Sequence, residues 1–266
     1  MIIIRLTLLL LLCVISLPSV AVGLTEPTER PNILFLAVDD LRPELASYDT
    51  KTQTPNLDQF AKTALQFDRA YCQQAVCGAS RLSIMGGLYP TRSQEQTYHI
   101  KDWRDRQPDL VTLNQHFKSN GYRTIGLGKI YHGSGSDGVD EANWSQWHKL
   151  SAPGYVLPES IAASRKNLEH KRGPLTELAD VEDQTYIDGK RAHKAADLLS
   201  ELAKDTDRSE PFFLAVGLAK PHLPFVAPKK YWDLYQRDQF KMPSNTGIPS
   251  GYPCLLYTSP SPRDRG

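Results

Sequence analysis

Three apolar segments of strand length each lead into residues that can bind a metal ion or an anion. Asp39-Asp40 follows the first segment, Lys129 and His132 follow the second, and the third runs into Lys220-Pro221-His222. Paired carboxylates offer hard oxygen ligands that suit Ca²⁺ or Mg²⁺, whereas Zn²⁺ prefers His and Cys. Lysine and imidazole groups donate to an anion. A cation and cationic donors around one point predict transfer of a phosphoryl-like or sulfuryl group, because charge on the transferred oxygens must be neutralised in the transition state.

The elements that must position these residues are read from hydrophobic periodicity. Residues 32–38, 122–128 and 211–218 are near-continuous apolar runs, which are typical of strands covered on both faces. Helical patterns alternate with them, at Pro55 onward after a Thr54 cap, over 109–121 and over about 183–204. Strands that alternate with helices predict an α/β domain with a mainly parallel sheet flanked by helices. Ligands of such sheets lie at the carboxyl ends of the strands, so the three polar sets are expected at one edge.

Each helical pattern predicts an inward-facing apolar stripe at helix spacing. The first stripe consists of Leu57, Phe60, Ala61, Ala64 and Leu65. The second consists of Leu110, Leu113 and Phe117 and ends at Gly121, which is predicted to be a left-handed cap. The third consists of Ala195, Leu198, Leu199 and Leu202.

Every polar set also has a structural interpretation. Asp39-Asp40 suits a turn or a helix cap, Lys129 and His132 suit a solvated loop, and His222 suits a satisfied loop histidine. The coincidence of such residues at three strand ends favours a site. The glycines of 133–138 fit a GxGxxG pattern, but the pattern trails its strand and no helical period follows, which argues against dinucleotide binding.

The two ends of the chain differ in composition from its middle. Residues 1–23 combine an early Arg, an apolar run and small residues near the end, which predicts a cleavable secretory signal. A membrane anchor is the competing interpretation, but the run is shorter than the roughly 20 residues of a spanning helix, so no stable anchor is expected. Residues 253–266 form a Ser-Pro-Arg string that resembles non-native read-through sequence. A catalytic domain is therefore predicted over 24–252.

Charge and cysteine content narrow the function classes further. The 31 Lys and Arg residues balance 30 Asp and Glu residues, so nucleic acid is not an expected partner. Cys72 and Cys77 are the cysteines left between the two ends. A local bridge between them is one interpretation. The other places Cys77 at a helix N-terminus, where amide donors favour an anion. The NWS tripeptide at Asn143 is an acceptor sequon for N-glycosylation.

Residues 77–81, Cys-Gly-Ala-Ser-Arg, resemble the Cys-x-Pro/Ala-Ser-Arg signature of the type I sulfatases. The segments VDDLRP, QQAVC, GYRTIGLGKIYH and KPHLPF are similar to successive blocks of the iduronate-2-sulfatase branch, and the resemblance covers nearly all of 31–252. It implies the alkaline-phosphatase-like fold and conversion of Cys77 to formylglycine by a formylglycine-generating enzyme. It further implies a lysosomal or secreted enzyme that removes sulfate from a sulfated carbohydrate, such as 2-sulfated iduronate in glycosaminoglycans.

The resemblance also implies roles for individual residues. The implied ligands of Ca²⁺, or of Mg²⁺, are Asp39, Asp40 and the converted Cys77. The groups implied to contact the hydrated aldehyde or the sulfate are Arg81, Lys129, His132 and His222, with Lys129 and His222 on the substrate. One hydroxyl of the hydrated aldehyde would attack sulfur, and the other would expel sulfate as the aldehyde re-forms. Lys220 is implied only to orient its loop.

Two departures from the family pattern keep alternatives open. Ala79 stands where proline is commoner, and the Ser-Asp-His-Gly-type block that supplies further metal and sulfate ligands does not occur in this chain. The chain by itself is therefore expected to be inactive. The alternatives are a metal-dependent phosphodiesterase or phosphonate hydrolase of the same superfamily, and an inactive or glycan-binding relative. The aromatic residues of 134–158, namely Trp144, Trp147 and Tyr155, either stack on a sugar or pack a core.

Overall fold

The computed structural model describes residues 30–48, 50–93, 102–133, 137–166, 173–205 and 210–241. The predicted signal sequence (1–23) and the predicted non-native tail (253–266) lie outside these residues. Within the described ranges, no helix combines the length and the apolar character that a membrane crossing requires.

Within the described ranges, six strands form two sheets, and every pairing in them is parallel. The strands are β1 (Ile33–Val38), β2 (Arg123–Gly128), β3 (Gln146–His148), β4 (Thr176–Ala179), β5 (Phe212–Leu218) and β6 (Phe225–Pro228). The larger sheet has the order β1-β5-β2-β3, and β4 pairs with β6 in the smaller one. The three strands predicted from the apolar runs are thus confirmed, and they are direct neighbours in the larger sheet.

Eight α-helices accompany the strands in the described residues. They are α1 (Pro55–Ala61), α2 (Cys77–Gly86), α3 (Pro90–Ser93), α4 (Trp103–Arg106), α5 (Leu113–Ser119), α6 (Pro158–Lys166), α7 (Ile187–Lys204) and α8 (Lys229–Trp232). Short 3-10 helices lie at Ala46–Tyr48, Asp137–Val139, Glu141–Asn143, Asp183–Thr185 and Arg237–Gln239. The predicted third helix is confirmed as α7, preceded by one of these short turns.

The strands β5 and β2 of the larger sheet are covered on both faces, as predicted from their apolar runs. The same prediction is wrong for β1, because Leu34 and Leu36 on one of its faces are 51% and 50% exposed. On one face, Phe213 and Ala215 of β5 join Leu82 and Met85 of α2 in a buried cluster. On the other face, Leu214 and Val216 of β5, with Ile125 and Leu127 of β2, pack against Ala195 and Leu198 of α7. Successive residues of a strand point to opposite faces, so one short apolar run serves both clusters. The predicted α/β layering is confirmed.

The predicted face of the first helix is wrong. Thr54 and Pro55 do begin α1 as predicted, but the helix ends at Ala61, before Ala64 and Leu65. Phe60 is 66% exposed and Leu65 is 80% exposed, so the stripe covers no core in the described residues. Periodicity reports which residues share a face, but not whether another element lies against that face.

Candidate active site

Helix α2 begins at Cys77, so this residue lies where the free amide groups of the first helical turn point. Leu82 and Met85, one and two turns further on, are almost fully buried against the sheet and fix the helix in place. The thiol is half-buried, and its Sγ lies 3.8 Å from Oδ1 of Asp40. Cys72 is exposed, and both cysteines carry free thiols. The predicted position of Cys77 at a helix start is therefore confirmed.

Asp39 and Asp40 follow β1 directly and form the turn that ends it. The Asp39 amide still continues the sheet by donating to the carbonyl of Leu218 at 3.1 Å. Asp40 has a left-handed backbone with φ of 56°, a conformation that aspartate tolerates better than most residues. The strand therefore ends in a turn at these two residues, and both carboxylates lie at its end.

A buried ion network joins the ends of β1 and β2 to helix α2 through Asp39. Arg81 of α2 donates from Nη2 to Oδ1 of Asp39 at 2.8 Å and from Nε at 3.3 Å. Lys129 donates from Nζ to Oδ2 of Asp39. Arg81 also donates to the carbonyls of Lys129 and Ile130, which ties the loop after β2 to the same point. Burial disfavours the charged carboxylate, but the hydrogen bonds and charges of Lys129 and Arg81 outweigh burial and lower the pKa of Asp39.

Two glycines allow the strand ends to approach each other closely enough for this network. Gly128, the last residue of β2, has φ of 78°, and a Cβ there would collide with the carbonyl oxygen of Gly217 in β5. A Cβ at Gly217 would collide with the backbone of Lys129. The Lys129 amide consequently donates to the Gly217 carbonyl at 2.9 Å. Only residues without a side chain permit this contact, and the contact sets the position of Lys129.

Loop 219–224 carries His222 and is held by its own polar groups. Nζ of Lys220 donates to the carbonyls of His222 at 3.0 Å and Pro224 at 2.6 Å, in accordance with an orienting role for this lysine. Nδ1 of His222 lies 2.7 Å from the carbonyl oxygen of Leu223. A carbonyl only accepts, so Nδ1 carries the proton and Nε2 is the nitrogen left for the site. The peptide bonds before Pro221 and Pro224 are both cis.

Potential ligand atoms of Asp39, Cys77 and His222 lie within 4.8 Å of one another. Three separate elements, the ends of β1 and β5 and the start of α2, thus bring a carboxylate, a thiol and an imidazole to one point. The neighbouring carboxylate of Asp40 contacts the same thiol. The sequence analysis assigned His222 to the substrate and not to the metal ligands, and the structure places one of its ring nitrogens within 4.8 Å of ligand atoms of Asp39 and Cys77.

The types of ligand group present suit a divalent cation that prefers oxygen ligands. Asp39 and Asp40 offer two carboxylates, and the lowered pKa keeps Asp39 ionised at neutral pH. Calcium takes about six to eight oxygen ligands, so the remaining ligands must come from water, from substrate or from other residues.

The remaining candidate residues are His132, in the loop after β2, and Asn143. His132 is half-buried three residues after Lys129. Tyr131, next to it, is anchored by a hydrogen bond of 2.7 Å to Asn114, and burial strongly raises the pKa of its phenol, which therefore remains a neutral donor. Asn143 is half-buried, and its Nδ2 donates to Asp140 at 2.8 Å. Among the described residues, the loop after β2 is thus fixed from a buried network around Asp140.

The aromatic residues of 134–158 pack a core. Trp144 is 4% exposed and belongs to the cluster above α2, with Trp147 against it. Tyr155 packs beside Tyr186 and Val226 under the smaller sheet. The core interpretation of these rings is therefore confirmed.

Sequence reasoning missed Asp188 and Arg191, which lie behind the site. Both are in the first turns of α7, and they form an ion pair of 2.9 Å. No motif marks them, because a charged residue at a helix start is ordinary. Only the position of α7 against the ends of β2 and β5 reveals their contacts.

A family model described as Sulfatase matches residues 31–258 of the chain. The chain belongs to the sulfatase family. It is 35% identical to human iduronate 2-sulfatase over 260 residues, which is 92% of this chain and 45% of the human protein. It is 34% identical to the mouse iduronate 2-sulfatase, over 91% of this chain and 44% of that protein. This sulfatase chain thus spans somewhat less than half the length of these curated relatives.

Solved structures show the same fold. Phosphonate monoester hydrolase of Agrobacterium radiobacter superposes with a TM-score of 0.54 at 16% identity, over 78% of this chain and 44% of that one. A protein solved with its substrate D-glucosamine-2-N,6-O-disulfate superposes with a TM-score of 0.51 at 20% identity, over 73% of this chain and 35% of that one. The alkaline-phosphatase-like fold expected from the sequence is confirmed. At these identities the likeness carries the fold alone.

Proposed function

We propose that the protein to which this chain belongs hydrolyses sulfate esters of a sulfated carbohydrate, with 2-sulfated iduronate units of glycosaminoglycans as the first candidate. The observation that carries the proposal is the convergence of Asp39, Cys77 and His222 within 4.8 Å. The identity to iduronate 2-sulfatases supports the substrate class. The phosphonate hydrolase shares only the fold, so phosphoryl transfer is kept as an outcome of the test.

In this proposal Cys77 is the precursor of formylglycine, produced by a formylglycine-generating enzyme in the secretory pathway. When hydrated, that aldehyde supplies a nucleophilic hydroxyl that a thiol at the same place does not have. Residue 77 lies at the start of α2 and beside Asp40, so the helix amides and the carboxylate border the reacting position.

Asp39, Asp40 and residue 77 would hold the cation, with Ca²⁺ or Mg²⁺ as the chemical class. A bound divalent cation would act as a Lewis acid on a sulfate oxygen. Lys129 and Arg81 place positive charge at the same point, where they are suited to neutralise an anionic substrate.

His222 is proposed as the residue that donates a proton to the departing alcohol. Its Nδ1 is held by the Leu223 carbonyl, so Nε2 carries the proton of the charged ring toward the site. His132 is proposed to contact the nucleophile from the loop after β2. Because the chain spans 45% of the human relative, the activity is proposed for the whole protein and not for this chain alone.

Further proposals follow from the ends of the chain and from the sequon. Residues 1–23 are proposed as a signal sequence, with lysosomal or secreted location and a glycan at Asn143. Mass analysis of the N-terminus and of the Asn143 peptide from material secreted by a eukaryotic host would test both.

The test of function uses the full-length protein from a eukaryotic host that converts cysteine to formylglycine. Wild type is compared with Cys77→Ser, and Cys72→Ser is the matched control because Cys72 is exposed. Wild type and control are expected to carry an aldehyde at residue 77 by peptide mass and to cleave an aryl sulfate and a 2-sulfated iduronate disaccharide. Cys77→Ser is expected to lose turnover. An intact Cys77 thiol in all material, or faster cleavage of an aryl phosphodiester than of the sulfate, would overturn the proposal.

A further inference from the structure

Helix α7 presents a carboxylate to the end of β5 at the start of the loop that carries His222. The side chain of Asp188 accepts from the Ala219 amide at 2.9 Å and 2.8 Å, one distance to each oxygen, and from the Lys220 amide at 2.7 Å. These amides belong to the first two residues after β5, which ends at Leu218, so they lie beyond the hydrogen-bonded part of the sheet. The Asp188 carboxylate accepts their hydrogen bonds in place of a neighbouring strand.

Hydrogen bonds within loop 219–224 connect the residues that Asp188 holds to His222. The Ala219 carbonyl accepts from the His222 amide at 3.0 Å, and Nζ of Lys220 donates to the His222 carbonyl at 3.0 Å. Both backbone groups of His222 are therefore bonded to the two residues whose amides Asp188 holds. A shift of those amides would be passed to the ring of His222.

Arg191 extends the same support to the end of β2. Its guanidinium donates to Asp188 at 2.9 Å, and the two side chains are only 15% and 19% exposed. A Cβ at Gly128 would meet Nε and Cδ of Arg191, so the arginine packs against the residue before Lys129. The first turn of α7 also favours a negative charge through the helix dipole. The Asp188–Arg191 ion pair thus contacts both the residues that follow β5 and the last residue of β2.

We propose that Asp188 is a positioning residue that fixes loop 219–224, and with it Nε2 of His222, relative to residue 77. This inference rests on the proposed function for its effect on turnover, but its structural part stands by itself. Among the described residues, the side chain of Asp188 bonds to the amides of Ala219 and Lys220 and to Arg191, so its effect on the chemistry would pass through loop 219–224.

The experiment uses the full-length protein with Asp188→Ala, the conservative Asp188→Asn, and Asp197→Asn as matched control on the exposed side of α7. Hydrogen exchange followed by mass spectrometry reports on peptides over 212–224 and 193–204. We expect faster exchange at 219 and 220 in Asp188→Ala, a smaller increase in Asp188→Asn, and no change in the 193–204 peptide or in the control. An unchanged 212–224 peptide in both Asp188 variants overturns the inference, whether or not the protein is a sulfatase.

Sulfate-ester turnover gives the second readout. Because small misplacement of a catalytic group costs up to about 100-fold in rate, Asp188→Ala is expected to lower kcat roughly 10- to 100-fold with little change in KM. In a His222→Ala background the same substitution is expected to cost less than about threefold, because the group it positions is gone. An equal loss in both backgrounds overturns the inference. Wild type without sulfate-ester turnover overturns the proposed function instead, and leaves the exchange result as the test of Asp188.

Discussion

Replacing Arg81 with methionine tests the ion network that joins the strand ends. Arg81 is 7% exposed and Asp39 is 3% exposed, so the pair is screened little by solvent. The substitution keeps the apolar stem but removes two hydrogen bonds to Asp39 and the donors to the carbonyls of Lys129 and Ile130. Lys129 remains bonded to Asp39, so the carboxylate keeps one of its two cationic partners.

Removing one partner of a buried ion pair costs about 3–5 kcal/mol, and the remaining lysine places this case near about 3 kcal/mol. That value lowers the folding equilibrium constant by roughly 100-fold. The assay is urea unfolding of the full-length protein in EDTA, so that metal binding to Asp39 does not contribute. Arg42→Met is the matched control, since Arg42 is 79% exposed beside Glu44 and such pairs are worth less than about 1 kcal/mol.

The pH dependence gives an internal check on the same variant. Asp39 has a lowered pKa in the folded protein, so its contribution to stability is present above the ordinary pKa of aspartate, about 3.9, and is lost as pH falls through the lowered value. The difference between wild type and Arg81→Met should therefore shrink in strong acid. If Arg81→Met destabilises no more than Arg42→Met at neutral pH, the network does not hold the strand ends as argued.

Three other predictions use the same unfolding assay. Glu177→Ala should cost about 3 kcal/mol, because the 3%-exposed carboxylate accepts from the amides of Val156 and Leu157 and from the hydroxyl of Tyr186, whereas exposed Glu159→Ala should change little. Hydrogen bonds outweigh burial and lower the pKa of Glu177, so the wild-type advantage should shrink as pH falls through that lowered value, and an advantage that stayed constant there would contradict the assignment. Gly128→Ala should cost at least about 2 kcal/mol through its positive φ and its collision with Gly217, while Gly154→Ala, with open space around it, should be tolerated; equal effects would refute the close approach of the strands. Calcium at about 100 times its Kd should stabilise wild type by about 2.7 kcal/mol relative to EDTA, and the gain should vanish in Asp39→Asn but persist in the exposed control Asp233→Asn.

Much of the fold could be predicted because its strands carry a strong local signal. Residues 32–38, 122–128 and 211–218 are near-continuous apolar runs, and the observed strands fall within one residue of those limits. Both faces of β2 and β5 are buried, whereas Leu34 and Leu36 leave one face of β1 half exposed. Helix α7 was equally readable, since Ala195, Leu198, Leu199 and Leu202 recur at helical spacing in its second half. The face of α1 could not be predicted, because its apolar residues record a helical period but not what lies against them.

The candidate site divides in the same way. Asp39, Asp40, Lys129, His132 and His222 were found because parallel strands end at one edge, and the rule needs only the strand limits. Cys77 was found because its pentapeptide resembles a known signature. Asp188 was not found, because its role depends on the approach of α7 to loop 219–224 across 31 and 32 residues of sequence.

The amino-acid sequence therefore determined three strands of the larger sheet, the helix α7 and which strand ends carry reactive groups, because these depend on neighbours along the chain. It did not predict β3, β4 or β6. The tertiary structure decided the distances. It placed His222 beside Asp39 and Cys77, assigned Arg81 and Lys129 to the same carboxylate, and put the ion pair of α7 behind the loop. The position of Lys129 among these residues depends on how glycines at 128 and 217 let two strands approach, and packing of this kind is set only when the whole sheet has formed.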